Sequence, residues 1–81
     1  MAMSNKGISK LVEEMGELHQ VLGKFLAYPT GVHPDGKGDL LERFEEESAD
    51  VMASIIFVQG KLGVDSAKVH SRSVRKLNYI S

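Results

Sequence analysis

Five acidic residues in two short runs, Glu13-Glu14-Met15-Gly16-Glu17 and Glu47-Ser48-Ala49-Asp50, are where this chain can do chemistry. A spacing of three puts Glu14 with Glu17, and Glu47 with Asp50, about one turn apart on one side of a helix. Four carboxylates converging from two helices make a site for a hard divalent cation. Oxygen-only donors favour Mg²⁺, with Mn²⁺ as a substitute, over zinc, which prefers imidazole or thiolate. Mg²⁺ in such sites works together with substrate phosphates, so the pattern points toward phosphate chemistry. His19 and His70 have no spacing that pairs them as ligands and read as helix-flank residues.

The elements that must position these groups are helices. Over residues 4–27, Ile8, Leu11, Met15, Leu18, Leu22, Phe25 and Leu26 recur at steps of three and four, with Ser4 as a candidate N-cap. Residues 28–38 gather both prolines and three glycines, which stop either periodicity and predict a loop long enough to carry function. Asp39 followed by Glu42 has the form of a capping box. Leu40, Leu41, Phe44, Val51, Met52, Ile55, Val58 and Leu62 carry a second helix to Gly63. Asp65 or Ser66 can cap a third helix running to about Asn78, with Val69 and Leu77 apolar and Lys68, Arg72, Arg75 and Lys76 basic. The expected fold is all-α, a single domain of three helices.

At about 100° per residue, Glu47 falls on the arc of Leu40, Val51 and Val58, with Asp50 about one-sixth of a turn to its side. Glu14 flanks the Leu11, Leu18 and Phe25 stripe, with Glu17 one step further round. An ionised carboxylate beside apolar surface is costly unless it is paired or holds a cation, and a metal between the helices resolves that cost for all four. Glu42, Glu45 and Glu46 face away from the apolar arc and read as solvated. Around Ile55-Ile56-Phe57-Val58 the second helix is apolar nearly all round, so the segment needs cover on more than one side. Two short flanking helices give too little. A homodimeric helical bundle is therefore expected.

Composition narrows the function classes. Eighty-one residues bury a modest core, which favours oligomerisation. Ten basic against eleven acidic residues, and only five aromatics, argue against a nucleic-acid or anionic-membrane partner. Without cysteine there is no disulfide framework or thiolate chemistry, and no apolar run is long enough to cross a bilayer. With no signal-like stretch over residues 1–10, a cytoplasmic location is expected.

At these residues the chain resembles the MazG-like, all-α nucleoside triphosphate pyrophosphohydrolases, whose pattern is Glu-Glu-x-x-Glu on one helix and Glu-x-x-Asp on the next. Lys61-Leu62-Gly63-Val64-Asp65 stands where that family carries a Leu-Gly-Ile-Asp turn, and the likeness spans most of residues 8–78. The segment between the motifs, with its His33-Pro34-Asp35-Gly36 loop, is slightly longer than the family's usual range.

The resemblance implies Mg²⁺-dependent dimers or tetramers that cleave a nucleoside triphosphate between the α and β phosphates. It implies Glu14, Glu17, Glu47 and Asp50 as metal ligands, with Glu13 activating the attacking water beside Glu14 and Glu47. The family's last helix supplies Lys and a Lys-Asn pair to the phosphates. Here Lys76 fits the second lysine, Ser73 stands in place of the first, Asn78 comes one residue late, and Arg72 or Arg75 substitutes. His33 and Tyr28 would close over the nucleotide. Two other readings compete: a phosphoribosyl-ATP pyrophosphohydrolase-like enzyme with the same carboxylate logic, and a non-catalytic helical dimerisation module.

Overall fold

The computed structural model describes residues 6–81; the candidate cap Ser4 lies outside them. Among the described residues there are three helices and no strand: α1 (Lys6–Ala27), α2 (Leu40–Leu62) and α3 (Ser66–Ile80). Over the described residues the chain is all-helical, as its periodicity predicts.

Local chemistry fixes the helix ends. The Asp39 carboxylate accepts from the Leu41 N–H at 2.7 Å, one residue short of the position a capping box would use, and so caps α2 alone. Gly63 ends that helix in the left-handed region at φ 69°, and the Val64 N–H returns to the Gln59 carbonyl at 3.0 Å, closing a Schellman stop. Two residues later Asp65 accepts from the N–H groups of Ala67 and Lys68 and starts α3, settling the choice between Asp65 and Ser66 as cap. The third helix runs two residues beyond Asn78.

The first two helices form an antiparallel hairpin and bury a thin core of Val21, Leu40, Val51 and Val58. Val21 was not in the expected stripe, while Met15, Leu22 and Leu26 of that stripe are exposed. The contact face of α1 is rotated toward Glu14 and Val21.

The loop between the helices is tied down by Asp35. Its carboxylate accepts from Lys24 Nζ at 2.9 Å, from Arg43 Nη1 at 3.2 and 3.3 Å and from the Lys37 N–H at 3.1 Å. Gly31, at φ 88°, hands its carbonyl to the Leu40 N–H and joins the loop to the start of α2.

By contrast, α3 contributes no buried residue and barely touches the hairpin. The Cα radius of gyration is 15.4 Å, against about 12 Å for a compact chain of this length.

Candidate metal centre

The hairpin brings the two acidic runs together. One carboxylate oxygen each from Glu14, Glu47 and Asp50 lie within 4.8 Å of one another. Glu14 is 5% exposed, Glu47 is half-buried and Asp50 is exposed, so the cluster is sealed on the hairpin side and open at Asp50. This follows from register: Glu47 shares the buried arc of Leu40, Val51 and Val58, and Glu14 sits opposite it on the rotated face of α1.

One oxygen each of two of these residues, Glu14 Oε2 and Glu47 Oε2, is shut away from solvent with no hydrogen-bond partner. Buried polar atoms normally have partners, and an ionised one without any is costly. The other Glu14 oxygen accepts from Lys10 Nζ at 2.9 Å, and Lys10 also lies 3.6 Å from Glu13. Hydrogen bonding to Glu14 and the charge of Glu13 push the Lys10 pKa upward, so Lys10 is a fixed cation on one side of the cluster. The Glu47 pKa is raised, first by desolvation and then by the neighbouring Glu17 carboxylate, with Asp50 and Glu14 adding. Like charges crowded onto a partly buried carboxyl resist its ionisation. A divalent cation would relieve that crowding and give both orphaned oxygens a partner, so the donor set and its unmet bonds fit a hard metal ion.

The remaining expected residues are placed differently. Glu17 stands close enough to act on Glu47 but outside the three mutually adjacent oxygens. Glu13 is exposed and turned toward Lys10. His33 is engaged in the loop: its Nδ1 accepts from the Asp35 N–H at 3.1 Å, and its ring meets Tyr28 edge-on at 4.6 Å. Arg72, Arg75, Lys76 and Asn78 all lie on exposed α3. Three of them, Arg72, Arg75 and Lys76, line with Tyr79 a shallow concavity of about 520 Å³. Among the described residues no α3 cation forms an ion pair with a carboxylate of the hairpin. Glu42, Glu45 and Glu46 are exposed, as their arc predicts, and so are His19 and His70.

Sequence reading missed the Lys10–Glu14 pair, although the i, i+4 spacing of the two residues was available to show it. It also missed the Asp35 hub, which joins residues eleven and eight positions away.

No helix of the described residues is long and apolar enough to cross a membrane. No protein-family model matches the sequence, and neither does a curated protein or a solved structure.

Proposed function

We propose that this chain is a MazG-like nucleoside triphosphate pyrophosphohydrolase, acting with Mg²⁺ as a dimeric helical bundle in the cytoplasm. The observation that carries the reading is the convergence of Glu14, Glu47 and Asp50 from two helices, with two buried carboxylate oxygens that no side chain or backbone group satisfies.

Glu14, Glu47 and Asp50 would hold the ion, with Glu17 beside them. The bound ion supplies Lewis-acid polarisation of phosphate oxygens and a more acidic water. In this reading Glu13, which lies 3.6 Å from Lys10 at the edge of the cluster, would take the proton as the water oxygen bonds to phosphorus and the bridging P–O bond between the α and β phosphates breaks. Monophosphate and pyrophosphate leave. The guanidinium and ammonium groups of Arg72, Arg75 and Lys76 offset the charge gathered on pyrophosphate, and Asn78 lies on the same helix. His33, held by Asp35, keeps the loop beside Tyr28 in one shape; in this reading it frames the nucleotide from the end of the hairpin.

A second reading has its own support. The large apolar side chains left exposed on all three helices suit a dimerisation module in which the cluster holds a cation for stability alone. Chromatography of products after incubation with Mg²⁺ and a panel of ribo- and deoxyribonucleoside triphosphates separates the two. The hydrolase yields monophosphate plus pyrophosphate; a module yields nothing from any nucleotide, phosphoribosyl-ATP included. Turnover of phosphoribosyl-ATP alone would move the assignment to that related activity.

A further inference from the structure

We propose that Lys10 is a built-in competitor at the candidate metal centre: its ammonium and a divalent cation claim the same carboxylate, Glu14, so the lysine sets how much of the ion the site needs. This rests on reading Glu14, Glu47 and Asp50 as a cation site, but it needs no nucleotide turnover.

Three observations carry it. First, Glu14 is divided between a met and an unmet bond. Its Oε1 accepts from Lys10 Nζ at 2.9 Å, while its Oε2 is buried with no partner. A cation that satisfies Oε2 stands one carboxylate away from the ammonium. Two cations that share a carboxylate each gain less from it, and they repel one another.

Second, the two partners differ in freedom. The Glu14 side chain is 6% exposed and that of Lys10 57%. Glu14 is walled in by the hairpin, whereas the long lysine stem can carry its charge into water at little cost. Lys10 is fixed in charge but not in place, and it is the partner that yields. Glu13, 3.6 Å from the same ammonium, gives the displaced lysine a second carboxylate to rest on.

Third, the lysine stands at the entrance. At about 100° per residue, Lys10 falls on the Glu17 side of α1, the flank on which exposed Asp50 leaves the cluster open. An entering ion therefore meets the ammonium. Helix stabilisation explains the pair less well. Pairs four residues apart gain more with the acid first, and here the lysine comes first.

The test is calorimetric titration of the full chain with Mn²⁺ at about pH 7.5, well above the ordinary carboxylate range. Wild type is compared with Lys10→Met and Lys10→Arg; the position is half-exposed, so both variants should fold. Lys10→Met keeps the apolar stem and removes the charge. It should bind Mn²⁺ about tenfold tighter than wild type, the scale of one charge-assisted hydrogen bond no longer given up. Lys10→Arg restores the cation and should return the affinity to near the wild-type value. A lysine that merely supports the helix predicts weaker or unchanged Mn²⁺ binding in Lys10→Met, and that result overturns the competition.

Thermal melts give a second readout. Without added ion Lys10→Met should melt below wild type, because Glu14 loses its donor. Mn²⁺ should then raise its melting temperature by more than it raises that of wild type, and an equal or smaller rise counts against the proposal. If neither protein binds Mn²⁺, the cation site falls and this inference falls with it. If Lys10→Met binds tighter while no nucleotide is turned over, the competition at Glu14 stands and the hydrolase reading alone fails.

Discussion

Glu47 concentrates the electrostatic conflict of the site. Its folded pKa lies above the ordinary 4.5 because of desolvation and the Glu17 carboxylate. The folded protein therefore binds more protons than the unfolded chain in the window just above that value, so this group makes metal-free stability fall as pH rises through it. Glu47→Gln should remove that decline and abolish the gain in melting temperature that the proposed Mg²⁺ site should give the wild type near neutral pH. Scanning calorimetry with and without Mg²⁺ checks both effects. Turnover should drop by about 100-fold or more, the scale of losing one ligand's hold on the ion.

Asp35 has the opposite sign. The Lys24 hydrogen bond, then the Lys37 N–H, hold its carboxyl well below its usual 3.8, with Arg43 and His33 adding to the effect. Its contribution is complete above that value and is lost as pH falls below it toward the depressed folded pKa. Asp35→Asn should therefore lower stability at neutral pH and flatten the acid limb of a stability profile below about pH 4. An unchanged acid limb would show that the loop clamp contributes nothing.

At the scale of elements, most of the architecture is legible because helix signals are local. Apolar steps of three and four mark α1 and α2, Pro29, Gly31, Pro34 and Gly36 mark the loop, and Asp39, Gly63 and Asp65 mark helix ends. The inward direction of Glu47 follows from the same periodicity. The rotation of α1 does not, since Glu14 and Val21 displace Met15 and Leu22 from the contact face only because α2 meets α1 at that angle. Nor does the Asp35 hub, which needs Lys24, Arg43 and the loop to meet in space. The Schellman stop is open to direct test. Gly63→Ala forces a side chain into φ 69° and should destabilise the protein by about 1 kcal/mol, measured by urea unfolding.

On the scale of the whole molecule, a thin core and an extended outline suit the dimeric bundle proposed above. Four buried apolar side chains among the described residues are a small core, and apolar surface remains on every helix. In the proposed dimeric bundle a second copy covers part of that surface.

The most direct measurement is phosphorus NMR of a nucleoside triphosphate incubated with Mg²⁺ and either the wild-type protein or Glu47→Gln. The wild type should convert the three triphosphate resonances into those of monophosphate and pyrophosphate, and Glu47→Gln should leave them unchanged over the same period. Diphosphate with orthophosphate, or equal conversion by both proteins, would contradict cleavage between the α and β phosphates at this carboxylate cluster.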